Sequence, residues 1–182
     1  IEHKMGINGS STCVLNFGED DGCVGELVGT VENHGMPQMF KMMNGARIGV
    51  GLQSVSVASS AYLNALEYAK DRKQGASITA WKDPTAPRVS IIEHADVRRM
   101  LLTMRSQIEA MRALIVYNAA AIDMSRVHAG TEEGERWQEI ADLLTPVSKG
   151  WCTDVGLEVT SNAIQVYGGM GYVEESGVAQ HF

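Results

Sequence analysis

Positions 97 to 122 carry the pattern that most constrains the fold. Val97, Leu101, Met104, Ile108, Met111, Ile115 and Ile122 step by threes and fours, with Asn118 in the same register. Arg98, Arg105, Glu109 and Arg112 lie off that stripe. A period near 3.6 gathers the first set on one face of a helix and leaves the charges on the others. The run predicts an amphipathic helix of about 30 residues, longer than a typical globular helix. A long apolar stripe has to be buried against other long elements, which points to a helix bundle.

The flanking sequence extends this reading. From about Pro37 the texture is helical, and Met39, Met43, Leu52, Val55, Tyr62, Leu66 and Ala69 fall on or near one stripe. The run Gly49 to Ala61 is rich in Gly, Ser and Ala, which weaken an isolated helix but let neighbouring helices approach closely. Gly75, Pro84 and Pro87 mark residues 75–91 as an excursion between helices. Thr131-Glu132-Glu133-Gly134-Glu135 reads as a charged linker into a third helix, from about Arg136 to Tyr167, with a kink or local break at Pro146. A fourth helix is expected to begin near Glu174. Residues 1 to about 31 read differently: Thr12–Phe17 and Val24–Val31 are β-prone runs separated by the turn cluster Gly18–Gly22. That hairpin-like piece is too small to fold alone. The expected fold is mainly α: a long antiparallel helix bundle over 35–182 behind a fragment of β-structure over 1–34. The chain starts at Ile1 without methionine and stops in mid-pattern, so it reads as a piece truncated at both ends.

Composition narrows the function. A chain of 182 residues with a net charge of −7 lacks the basic stripe that a nucleic-acid track needs. No apolar run approaches the roughly 20 residues of a membrane span, and no signal peptide is visible. Cys13, Cys23 and Cys152 are irregularly spaced and read as reduced thiols, with no zinc-site spacing. The expected location is cytoplasmic, in a bacterial cytosol rather than a mitochondrial matrix.

Chemistry-bearing residues are few. Helix bundles often hold metal through Glu-x-x-His pairs, and this chain has none. Its histidines are scattered, and no nucleophile elbow or phosphate-binding Walker loop is present. Arg47 stands in the small, apolar stretch Asn44-Gly45-Ala46-Arg47-Ile48-Gly49, where a guanidinium either lies at a surface edge or needs a polar or anionic partner. Arg72, in Asp71-Arg72-Lys73-Gln74-Gly75, suits a helix C-terminus on dipole grounds alone. Gln165-Val166-Tyr167-Gly168-Gly169-Met170-Gly171-Tyr172 has two readings, a helix stop or a phosphate-contacting loop. A dinucleotide-binding Rossmann turn is excluded, because the glycines follow a helix and not a strand.

Taken in order, these residues resemble the acyl-CoA dehydrogenases over essentially the whole chain. Lys4-Met5-Gly6-Ile7 resembles the end of that family's middle β-domain, and Asn44–Gly49 the arginine-containing start of its first C-terminal helix. Tyr68-Ala69-Lys70-Asp71-Arg72-Lys73-Gln74 resembles the "Y-A-x-x-R-x-x" helix end. Glu93-His94 resembles the "E-H-Q" before the next helix, and Gln165–Gly171 the "Q-x-x-G-G-x-G" loop. The resemblance implies FAD-dependent α,β-dehydrogenation of an acyl-CoA thioester in a homodimer or homotetramer, with electrons leaving to an electron-transfer flavoprotein. It places Asn44 and Arg47 toward the CoA portion of the substrate. Arg72, flanked by Lys73 and Gln74, would meet the FAD pyrophosphate of a neighbouring subunit. His94 would lie on the cofactor side, and Gln165, Gly168 and Gly169 along the adenosine diphosphate part of the same cofactor.

The chain departs from the family pattern in several places. Gly75 stands where relatives often have an aromatic residue, Asn44 where many have aspartate, and Ala95 where glutamine is usual. The usual catalytic base lies in a "Y-E-G-T" motif downstream of the glycine loop, which this chain does not reach. A minority of relatives place the base at the position of Ala46, and alanine cannot serve. The piece alone is therefore expected to be inactive, with no catalytic residue of its own. The excursion at 75–91, with Trp81 and Pro84, and the run Asp96–Leu102 resemble the branch that dehydrogenates 3-(methylthio)propanoyl-CoA. A non-catalytic helical oligomerisation module would explain the apolar stripe equally well, but not Arg47, Arg72 and the glycine loop together.

Overall fold

A computed structural model describes residues 1–182. It separates into two compact units, residues 1–38 and 39–182. Three long helices dominate: α1 (Gly35–Asp71), α2 (Ala95–Val127) and α3 (Glu132–Tyr167). Between α1 and α2, strands β1 (Lys73–Ala76) and β2 (Arg88–Ser90) pair antiparallel, Lys73 opposite Ser90 and Ala76 opposite Arg88.

The stripe on α2 is buried as its spacing predicts: Leu101, Met104, Ile108, Met111, Ile115 and Asn118 all lie inside. Contacts fix the helix directions. Gln107 reaches Glu158 and Asn118 reaches Ser148, so numbers rise along α2 as they fall along α3. Gly51 faces Ile115 and Ser148, while Ser54 lies against Gly156. The three helices thus run up, down and up, α1 parallel to α3 with α2 antiparallel to both.

On α1 the buried face differs from the expected one. Gly51, Val55, Ala58, Ala61, Ala65 and Ala69 are buried, whereas Met39, Met43 and Leu52 are exposed and Tyr62 and Leu66 half-buried. Close approach decides this. A Cβ added at Gly51 would lie 2.7 Å from Ile115 Cδ1 and 3.1 Å from the Ser148 carbonyl oxygen. Only a stripe of small residues allows that separation. At the same level Asn118 Nδ2 donates to Ser148 Oγ at 3.0 Å, a polar layer inside an otherwise apolar core.

α3 begins four residues before the expected start, because the supposed linker is its first turn. Thr131 caps it, its hydroxyl accepting from the Gly134 amide at 3.2 Å, and Glu132, Glu133 and Glu135 sit where the helix dipole favours negative charge. Gly134 is needed there, since a Cβ would collide with the His128 carbonyl oxygen. Nor does α3 break at Pro146. The proline is exposed and flanked by the buried Thr145 and Ser148, so packing on both sides holds the helix through the missing amide. In place of a fourth helix, Glu174–Ser176 and Val178–His181 form short 3-10 turns, with Val178 buried.

In residues 1–34 the expected strands do not form. A 3-10 turn at Glu19–Asp21 occupies the predicted turn cluster, and Gly18 adopts φ +80°. Val14, Phe17 and Val24 are exposed. A hairpin-sized segment has too few partners for its backbone and too little apolar cover to make a lasting sheet. No helix of the protein is long and apolar enough to cross a membrane.

Candidate functional site

The C-terminal ends of α1 and α3, strand β1 and the start of α2 meet around an open cavity of about 370 Å³. Arg72, Gln74, His94 and Gly168 line it, together with Tyr68, Gly75, Ile91, Val97, Val166 and Tyr167. Four of the predicted cofactor residues, 96 positions apart in sequence at their extremes (168 − 72), are therefore brought to one place. Lys73 is exposed on β1 outside the lining, as is Gly169. Gln165 also lies outside it, its amide donating to the Tyr172 hydroxyl at 2.8 Å.

Local chemistry explains each position. The Arg72 amide bonds back to the Tyr68 carbonyl at 2.8 Å and completes the end of α1. Its own carbonyl accepts from the Ile91 amide at 2.8 Å, which ties it to the turn before α2. The guanidinium is exposed and takes part in none of the protein's ion pairs. His94 Nε2–H donates to the Gln74 carbonyl at 2.7 Å, fixing that proton on Nε2 and joining the start of α2 to β1. Gly75 adopts φ +74°, and a Cβ there would meet the imidazole at 3.5 Å. The helix-stop reading of the glycine loop holds: Gly168 leaves α3 at φ 59°, ψ −137°. Gly171 is buried against the last turn, where a Cβ would collide with the Ile164 carbonyl oxygen. Added Cβ atoms at Gly168 and Gly169 would meet nothing within 4 Å, so this part of the backbone stands open to a ligand.

The sequence reading missed how the floor of the cavity is made. Tyr68 and Tyr167 stack with ring centroids 4.0 Å apart and planes 13° from parallel. Burial, with the Tyr68 phenol beside it, raises the Tyr167 phenol above its ordinary pKa. Both tyrosines belong to the segments singled out above, but nothing in one dimension pairs residues from separate helices. The β1–β2 ladder escaped for a related reason: Lys-Gln-Gly-Ala has little strand propensity, and the bonds from Arg72 and Gln74 hold it.

Arg47 lies apart, roughly 36 Å of helix rise from the end of α1 (24 residues at 1.5 Å). Half-buried, it donates from Nη1 to Asn44 Oδ1 at 3.1 Å and sits 5.9 Å from the centroid of Phe40. With Met43, Ala46, Val50, Pro146 and Lys149 it lines a second cavity of about 350 Å³. Asn44 touches Arg47 without lining that cavity.

Residues 33–182 match the family described as acyl-CoA dehydrogenase, C-terminal domain. The chain is 45% identical to a butyryl-CoA dehydrogenase of Syntrophomonas wolfei over 96% of its length, and 42% identical over its full length to 3-methylmercaptopropionyl-CoA dehydrogenase of Ruegeria pomeroyi. It spans 29% and 30% of those two relatives. The solved structure of butyryl-CoA dehydrogenase from Megasphaera elsdenii superposes with a TM-score of 0.62 at 28% identity, covering 83% of this chain and 33% of that one. The chain belongs to the acyl-CoA dehydrogenase family, whose C-terminal helical domain it carries.

Proposed function

We propose that this chain is part of an FAD-dependent enzyme that removes hydrogen from the α and β carbons of an acyl-CoA thioester. The observation that carries this reading is the cavity where Arg72, Gln74, His94 and Gly168 converge within the family-matched region. An unpaired guanidinium beside exposed glycine backbone suits the pyrophosphate of a dinucleotide, through charge-assisted hydrogen bonds and close approach of the main chain. FAD, when bound, supplies the two-electron acceptor of the dehydrogenation. Arg72 neutralises phosphate charge, and Gln74 and His94 shape the wall beside it. Lys73 lends positive charge from β1, and Gln165, Gly168 and Gly169 offer polar contact and open backbone to the adenosine diphosphate end. These residues serve the cofactor of a neighbouring subunit in a homodimer or homotetramer, and an electron-transfer flavoprotein takes the electrons.

Nearer the start of α1, Arg47 with Asn44 faces the phosphate-bearing CoA portion. Ala46 has no group that could remove an α-proton, and no carboxylate or histidine lines the Arg47 cavity, so this chain is expected not to turn over alone. For the acyl group we favour 3-(methylthio)propanoyl-CoA, supported by the relative at 42% identity, although a butyryl-CoA dehydrogenase is more similar at 45%. The enzyme is cytoplasmic. Turnover of methylthiopropanoyl-CoA and butanoyl-CoA by the full-length parent tests the reading. The expectation is a yellow protein that prefers the sulfur-containing thioester. Strong preference for butanoyl-CoA sinks the substrate assignment, and a colourless protein that cannot be reconstituted with FAD sinks the enzyme.

A further inference from the structure

We propose that Tyr68 and Tyr167 are positioning residues for the ligand of the Arg72 cavity, their stack setting the distance between the Arg72 guanidinium and the Gly168 backbone. The inference rests on the FAD reading of that cavity and adds a role for residues which that reading leaves without one.

Three observations support it. First, the two elements that flank the cavity belong to the ends of different helices: Arg72 just beyond α1, and the Gly168–Gly169 backbone just beyond α3. That backbone leaves a ligand room to approach, although the Gly168 amide itself bonds the Gln165 carbonyl. An anion gripped from two sides is bound well only if the spacing between the grips is kept. Second, the residues stacked at 4.0 Å lie one turn before Arg72 and immediately before Gly168. They link the two grips through side chains. Third, the link is reinforced on both sides. The Tyr167 hydroxyl donates to the Asn64 carbonyl at 3.3 Å, one helical turn before Tyr68, and Tyr68 is bonded through its own carbonyl to the Arg72 amide. The Asn64 side chain in turn donates to His181 Nε2 at 3.0 Å, which seats the last 3-10 turn against α1. Stacked rings resist sliding and tilting more than aliphatic contact does, because their quadrupoles favour a narrow set of offsets. Tyr68 and Tyr167 thus act through Arg72 and Gly168, without having to touch the phosphates.

A double-mutant cycle in the full-length flavoprotein tests this, read as the dissociation constant for FAD and its dependence on salt. Arg72→Ala should weaken binding and flatten the salt dependence, since one cation–phosphate contact is gone. Tyr167→Leu should weaken binding about fivefold to tenfold and flatten the salt dependence in the same way. Tyr167→Phe, which keeps the stack, should restore most of the affinity. The double variant should bind no worse than Arg72→Ala alone, because the tyrosine works through the arginine. Tyr68→Leu probes the same stack from α1 and stands in if Tyr167→Leu does not fold. Additive losses, or a Tyr167→Leu protein with a lowered melting temperature but an unchanged salt slope, would overturn the proposal and leave the FAD reading intact. If Arg72→Ala itself leaves FAD binding unmoved, the cavity is not the pyrophosphate site and the positioning role falls with it.

Discussion

One arginine lies about a third of the way along α1 and another just past its C-terminus, yet they solve the problem of a lone cation in opposite ways. Arg47 is answered from within its own helix, by Asn44 one turn earlier and by the ring of Phe40. Arg72 receives no such answer. Its backbone is tied to Tyr68 and Ile91, while its guanidinium is left free beside a glycine loop from another helix. The first arrangement is local and follows from neighbours three to seven residues away. The second requires α1, α3, β1 and the start of α2 to come together. A cation satisfied locally can wait for a ligand without the rest of the fold. One left unsatisfied becomes a site only through tertiary structure, and it binds most strongly whatever brings the missing negative charge.

The sharpest way to test the difference along α1 is through its glycines. Gly51, on the face that packs, sits with Ile115 and the Ser148 backbone inside van der Waals distance of an added Cβ, whereas Gly49 has open space. Gly51→Leu should overpack the junction of all three helices and lower stability by roughly 1–3 kcal/mol, the usual range for forcing bulk into a filled core. Gly49→Ala should raise it by roughly 0.5–1 kcal/mol through helix propensity. Urea unfolding of the chain followed by circular dichroism gives both values. Equal losses at the two positions would mean that the two faces of α1 are packed alike.

The arginines themselves should separate by readout. Arg72→Ala in the full-length protein should weaken FAD binding on the order of tenfold to a hundredfold, as expected for loss of hydrogen bonds to a charged group, with the KM for acyl-CoA little changed. Arg47→Ala should do the reverse, raising KM and leaving flavin content alone. Its effect should be the smaller one, because Asn44 and Phe40 already hold part of the guanidinium's attention in the free protein. If both variants change the same constant, the two arginines do not serve different ligands.

Much of this contrast was legible in the sequence, and where it was not, the reasons are physical. The α2 stripe was readable because large apolar residues at helical spacing have only one way to be buried. The α1 stripe was misread because its large residues are not the buried ones. Ala58, Ala61 and Ala65 lie at the core for their small size, a property that hydrophobic periodicity does not rank. Thr131–Glu135 looked like a linker by charge, although a hydroxyl before three carboxylates is also what a helix N-terminus favours. At the site, Arg72, Gln74, His94 and Gly168 could be named from motifs, while the Tyr68–Tyr167 stack that joins them could not.

Thiol chemistry offers the mildest probe, comparing the helical unit with the N-terminal one. Cys13 and Cys23 are exposed in residues 1–38, while Cys152 is buried on α3 within the core cluster. Burial raises the Cys152 pKa, so its thiol stays protonated to higher pH. Because a raised folded pKa favours the protonated form in the fold, this contribution to stability is complete below the unfolded thiol pKa and is lost as pH climbs through the folded value. Titration with a disulfide reagent at neutral pH should modify Cys13 and Cys23 promptly and Cys152 only at the rate of helix opening. Adding urea should bring the third thiol up to the rate of the first two. Prompt reaction of all three without denaturant would show that α3 opens as readily as the N-terminal segment, and the contrast between packed and unpacked regions would then fail at its core.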